Sequence, residues 1–164
     1  MSRNYILDQD TANRKLTRMA YEIVENNIHE SELVLAGIYQ NGVVIARNME
    51  RILKEISPLK ITPLTITLDK KNPGEIEVNP KIDFQNATIL LIDDVTNSGK
   101  TLLYALKPFL SFHPRTIQTL VLVERTHTTF PVRPDYVGLS VATTLQEHII
   151  VEVEGDRVMG AWME

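Results

Sequence analysis

The sequence predicts an α/β fold, with a mainly parallel β-sheet flanked by helices. Two observations carry that expectation. Apolar runs of strand length alternate along the chain with stretches of helical spacing, the pattern of parallel strands joined by crossover helices. One run, Ile89–Ile92, ends in the adjacent acids Asp93 and Asp94, and a hydroxyl- and glycine-containing turn leads from them into a helix. Ligands of open α/β sheets bind at such carboxyl ends of strands.

Asp8–Ile28 reads as an amphipathic helix, with Leu16, Met19, Ala20 and Ile23 on one face and Arg14, Lys15, Arg18 and Glu22 elsewhere. Leu33–Ile38 is a short apolar run, expected as a buried strand. Gly42–Ile56 returns to helical spacing through Val44, Ile45, Met49 and Ile52. Pro58 and Pro63 punctuate the link to Leu64–Leu68, where alternation and two threonines favour a strand. Asp69–Pro80 is polar and reads as a mobile loop. Ile89–Ile92 is the next strand and Gly99–Phe112 the next helix. Thr116–Val123 is a strand, residues 125–134 are irregular, and Tyr136–Val141 and Ile149–Val153 are strands. Arg157–Trp162 is a weaker strand candidate, since Gly160 interrupts its few apolar residues.

A chain of 164 residues is most simply one domain, 1–164, large enough for a real core. A net charge of -4 gives no overall basic field for nucleic acid. Cysteine is absent, which excludes disulfides, thiolate nucleophiles and zinc–thiolate sites. The start of the chain lacks the apolar core of a signal peptide, and no segment approaches the roughly 20 apolar residues of a membrane span. The expected location is the cytoplasm.

The segment from Thr88 to Thr101 holds the chemistry. Adjacent residues of a strand face opposite ways, so Asp93 and Asp94 cannot both be core residues. A buried, unpaired carboxylate is costly. At a strand end both acids reach solvent or a ligand, where they suit vicinal sugar hydroxyls and Mg²⁺, held directly or through water. The turn Thr96-Asn97-Ser98-Gly99-Lys100-Thr101 offers hydroxyls, close backbone approach at Gly99, and a helix N-terminus that favours phosphate. A capped helix after a strand is the plainer reading of the same residues. A P-loop is excluded, because its first glycine would stand where Asp94 does.

This segment resembles the phosphoribosyl pyrophosphate (PRPP) motif of type I phosphoribosyltransferases. The resemblance implies that family's fold, with a small hood formed by the N- and C-terminal segments. It implies reaction of PRPP with a nitrogen base to give a nucleotide and pyrophosphate, with Mg²⁺. Asp93 and Asp94 would hold the ribose hydroxyls and the metal, which makes them the expected catalytic pair; Thr96 to Thr101 would hold the 5′-phosphate. The stretch from Leu35 to Val43 resembles the pyrophosphate loop, which places Tyr39, Gln40, Asn41 and Gly42 beside the leaving group. Lys70 and Lys71 of the mobile loop are candidates to close over PRPP, or are simply solvated lysines.

Three further segments, Leu16–Ala20, Leu122–His127 and Phe130–Gly138, resemble the PyrR branch of the family, whose members combine pyrimidine-operon attenuation with uracil phosphoribosyltransferase activity. That branch usually has basic residues in the pyrophosphate loop, where this chain has Tyr39 and Asn41. Loss of those cations should weaken charge stabilisation of the leaving group. In the oxopurine enzymes an acid inside the phosphate loop serves as general base; Asn97 stands in its place and cannot act so. That speaks against hypoxanthine or guanine, and the breadth of the PyrR resemblance implies uracil as the base. Tyr136 is a candidate to stack on it and the backbone at Val137 to read its edge, with a buried core tyrosine as the other reading. Arg14, Lys15 and Arg18 resemble part of an RNA-binding surface. A solvated helix face or an oligomer contact is the favoured reading of that cluster. A homo-oligomer is expected from the resemblance alone.

Overall fold

The apolar runs become strands of a sheet covered on both faces. The computed structural model describes residues 2–164. In it, β1 (Asn4–Leu7) leads into α1 (Gln9–Asn26), and β2 (Glu32–Ile38) into α2 (Asn41–Ile56). β3 (Lys60–Thr67) and β4 (Glu77–Asn79) follow, then β5 (Thr88–Thr96), α3 (Lys100–Ala105) and α4 (Lys107–Leu110). β6 (Thr116–Arg125), β7 (Tyr136–Val141), β8 (Ile149–Glu154) and β9 (Arg157–Met163) come last.

The main sheet has the order β4-β3-β2-β5-β6-β7. All pairs from β3 to β7 are parallel, and β4 alone runs antiparallel at one edge. β2 sits near the centre and buries six consecutive residues, Leu33 to Ile38, because both its faces are covered. On one face α1 and α2 pack Leu16, Met19, Ile23, Ile45, Met49 and Leu53 against Leu35, Ile92 and Leu120. On the other, Leu102, Ala105 and Phe109 join Phe84 against Ala36, Ile38 and Leu91. Asp8 starts α1 by accepting the Thr11 N–H at 2.7 Å, a side-chain cap that stabilises the helix by about 1 kcal/mol.

A second, three-stranded antiparallel sheet, β1-β9-β8, joins the two ends of the chain. Leu7, Val151, Val158 and Ala161 bury its inner face in the core shared with α1 and α2. This is the expected hood, and the weak candidate strand at Arg157 belongs to it.

The structure differs from expectation in four places. β1 is an added strand; of its four residues only Leu7 is buried, so it has no alternating signal and exists through pairing with β9. The loop Asp69–Pro80 contains β4, whose three residues borrow their order from Thr65–Thr67 of β3. The helix expected over Gly99–Phe112 divides at Leu106 into α3 and α4, since Pro108 has no N–H to continue the helical ladder. β5 runs through both acids to Thr96 instead of stopping at Ile92.

Candidate functional site

Pairing of β5 with β6 continues past the acids, with Asp93 opposite Val121, Val95 opposite Val123 and Thr96 opposite Glu124. Of the expectation that both carboxylates reach solvent or a ligand, that extension changes the part about solvent. Asp93 is drawn inside, its side chain 1% exposed, while Asp94 keeps 13%. The buried charge has a partner. Lys70 donates from Nζ to both carboxylate oxygens of Asp93 at 3.2 Å and lies 3.8 Å from Asp94 Oδ1. The Asp94 N–H donates to Asp93 Oδ1 at 2.9 Å, and the Val95 N–H to Asp94 Oδ1 at 2.8 Å. Burial, and then the charge of Asp94, hold the Asp93 carboxyl well above the usual carboxylate range, against the pull of Lys70.

That shift has a sign that can be measured. The native state binds the Asp93 proton more tightly than the unfolded chain does. The contribution of this group to stability is therefore fully present below the ordinary carboxylate range and is lost as pH rises through the elevated value. The protein bears this penalty once pH exceeds that elevated value. Asp93→Asn is expected to raise the melting temperature at pH 7 by about 2–4 °C, a gain that vanishes in acid. A melting series against pH checks it; an equal gain at pH 3 and pH 7 would rule out titration of Asp93 as the cause.

The residues expected to form a pyrophosphate loop stand next to the acids. Asn41 donates from Nδ2 to Asp94 Oδ2 at 3.2 Å and to the Val151 carbonyl at 3.0 Å, tying loop, acid and hood together. A Cβ on Gly42 would lie 2.7 Å from the Ile92 carbonyl oxygen, so only glycine allows α2 to start against β5. The Tyr39 N–H donates to the Ile66 carbonyl at 2.8 Å, and the Tyr39–Gln40 peptide is cis. α2 has no side-chain cap, and its first turn lines a cavity of about 550 Å³. Tyr39, Gln40, Asn41, Arg47, Thr65 and Thr67 are among its walls.

The turn from Thr96 to Thr101 lines a second cavity of about 220 Å³, shared with Lys70 and Val95. Gly99 makes the turn with φ of 88°, where a Cβ would meet the carbonyls of Val132 and Phe130 at 3.1 and 3.2 Å. Ser98 Oγ accepts the Lys100 N–H at 3.2 Å, and the Ser98 carbonyl accepts the N–H groups of Thr129 and Phe130 at 3.0 Å each. The irregular segment after β6 thus braces the turn. Lys71 is exposed, and its backbone N–H closes on Asp69 Oδ1 at 2.9 Å. Of the two candidate lysines, Lys70 meets the acids.

Tyr136 is a core residue, which corrects its assignment to base stacking. It is 2% exposed, and its hydroxyl donates to Gln118 Oε1 at 2.6 Å and accepts from Asn26 Nδ2 at 3.3 Å. Asn27 completes this network through Gln118. Tyr136→Phe is expected to cost about 1 kcal/mol, roughly 2–4 °C of melting temperature, with the KM for the base unchanged. A shift in that KM above threefold would return Tyr136 to the site. The carbonyls of Val137 and Gly138 accept from Arg18 Nη2 at 3.0 Å each, and Arg18 also pairs with Glu22. Sequence reasoning did not assign Arg18 this role, nor Arg47 a place beside the pyrophosphate loop. Their only sequence signal is a long cation on the polar face of a helix.

The family model for the phosphoribosyl transferase domain matches residues 2–155. The Bifunctional protein PyrR of Streptococcus pneumoniae, in strain CGSP14 and in the serotype 19F strain G54, is 34% identical over 170 residues, which is 97% of this chain and 97% of the relative. Among solved structures, the hypoxanthine phosphoribosyltransferase of Trypanosoma cruzi superposes with a TM-score of 0.83 at 13% identity, over 99% of this chain and 96% of that one. A hypoxanthine-guanine phosphoribosyltransferase of Bacillus anthracis gives a TM-score of 0.76 at 16% identity, over 92% and 87%. With an acid pair joined through Asn41 and Lys70 to the walls of two cavities, and a family model spanning nearly the whole chain, the protein belongs to the phosphoribosyltransferase family.

Proposed function

We propose that this phosphoribosyltransferase joins uracil to PRPP, releasing pyrophosphate and forming UMP, as a homo-oligomer in the cytoplasm. The observation that carries the PRPP reading is that the acid pair contacts a wall of each cavity, Asp94 through Asn41 and Asp93 through Lys70. The turn of Thr96 to Thr101 takes the 5′-phosphate, the acids take the ribose hydroxyls, and the loop of Tyr39, Gln40, Asn41 and Gly42 takes the pyrophosphate. This order supports displacement at the anomeric carbon, with the protein supplying position and electrostatics. Lys70 holds the buried Asp93 charge until substrate arrives, and its 42% exposed side chain is free to turn toward the pyrophosphate.

The donor set fits Mg²⁺. Two adjacent carboxylates are hard oxygen ligands, and no group of three or more His, Asp or Glu side chains among the described residues forms a protein cage. Asp93 and Asp94 would hold the ion, directly or through water, together with oxygens of the substrate. When bound, Mg²⁺ offsets the charge of departing pyrophosphate.

Uracil is supported by the PyrR-like segments and by Asn97, which cannot act as a general base. RNA is not a favoured partner: the net charge is -4, and Arg18 is engaged by β7 and Glu22. No helix among the described residues is long and apolar enough to cross a membrane. The test is nucleotide formation with Mg²⁺ and PRPP, supplying uracil, hypoxanthine, guanine, adenine or orotate separately. UMP alone is expected. A purine nucleotide overturns the role given to Asn97, and PRPP binding without turnover of any base turns the protein into a nucleotide-sensing regulator.

A further inference from the structure

We infer that Arg47 is the pyrophosphate-binding cation that the loop Tyr39–Gly42 lacks, held by Asp156 until PRPP arrives. The inference rests on the reading that pyrophosphate lies beside that loop. A leaving pyrophosphate concentrates negative charge, yet Tyr39, Gln40, Asn41 and Gly42 carry no positive charge to balance it. Among the described residues Arg47 is the only cation lining the same cavity, and Glu77 is its only acid.

The placement follows from helix geometry. Arg47 stands six residues after Asn41 on α2, about 9 Å along the axis. Helical side chains lean toward the N-terminus, which here is the loop. A planar guanidinium matches phosphate oxygens in a bidentate manner that a backbone N–H cannot reproduce.

Arg47 is available for this role. Its Nη1 donates to Asp156 Oδ1 at 2.8 Å, but the two side chains are 60% and 68% exposed. Pairs so open to water are weak and exchange partners readily. Asp156 stays near Arg47 for another reason: its backbone carbonyl accepts from the buried Asn48 Nδ2 at 2.8 Å, which fixes the β8–β9 turn on α2. The turn therefore remains docked when the ion pair opens.

Calorimetric titration of the full-length protein with PRPP, Mg²⁺-pyrophosphate and UMP tests the assignment, with melting curves to confirm that each variant is folded. Arg47→Ala is expected to weaken PRPP and pyrophosphate binding about tenfold and to leave UMP, which has no pyrophosphate, within about twofold. Arg47→Lys should recover part of the loss. Asp156→Asn removes the competitor and should tighten PRPP by about two- to threefold. A purely structural ion pair predicts the reverse relation, because both variants break the same contact and would move PRPP affinity together. Parallel weakening by Arg47→Ala and Asp156→Asn overturns the inference, as does unchanged PRPP affinity in Arg47→Ala. Wild-type protein that binds UMP but not pyrophosphate would instead overturn the placement of pyrophosphate at the loop.

Discussion

Asp94→Asn is expected to lower kcat/KM for nucleotide formation by about 10²–10³-fold while the protein remains folded. Asp94 is the accessible member of the acid pair. Its Oδ1 accepts the Val95 N–H at 2.8 Å, a bond the amide oxygen of asparagine preserves. Its Oδ2 accepts from Asn41 Nδ2 at 3.2 Å, and that bond is lost when an NH₂ group replaces the oxygen. Asn41 retains the Val151 carbonyl at 3.0 Å, so the loop stays attached to the hood. On the proposed reading, what disappears is negative charge where the ribose hydroxyls would donate and where positive charge would develop on the sugar. Steady-state kinetics with a melting curve decide the matter. A variant that keeps more than a tenth of wild-type activity would remove Asp94 from the reacting sugar.

The parts of the site that sequence made visible are those written contiguously. Thr88 to Thr101 names strand, acids, turn and helix in order, and the structure keeps that order, with Val95 to Thr101 lining one cavity directly after the acids. The parallel sheet was also readable, because β2, β5 and β6 are buried on both faces and so appear as continuous apolar runs. β1 and β4 were not readable. They are short edge elements, mostly exposed, ordered by partners far away in the chain. The same limit applies to charge. Lys70 lies 23 residues from Asp93, and Asn41 lies 53 residues from Asp94; no local pattern links them. Tyr136 shows the opposite failure. Its neighbours Pro134-Asp135-Tyr136-Val137-Gly138 resemble a base pocket, but alternation along β7 turns its ring into the α1 core, where Asn26 and Gln118 satisfy the hydroxyl.

Gly42→Ala should damage both stability and activity through one added methyl group. The new Cβ would lie 2.7 Å from the Ile92 carbonyl oxygen, 3.1 Å from Asp93 Cα and 3.2 Å from Asp93 Oδ1. The first two are backbone atoms of a central strand and cannot turn aside. Either α2 retreats from β5 or β5 bends, and both movements disturb the acids. Overpacking of this kind costs about 2–3 kcal/mol, or roughly 5–10 °C in melting temperature for a chain of this size. A shift of the acids by about 1 Å should cost about 10²-fold in kcat. Gly74→Ala is the control, since a Cβ there would meet no heavy atom within 4 Å; it should melt and turn over like wild type. If Gly42→Ala matched that control, the contact between the Tyr39–Gly42 loop and the acid pair would not constrain the site. If it loses activity as expected, the loop and the acids act as one rigid unit, because a single missing side chain lets the start of α2 rest on the strand that carries Asp93.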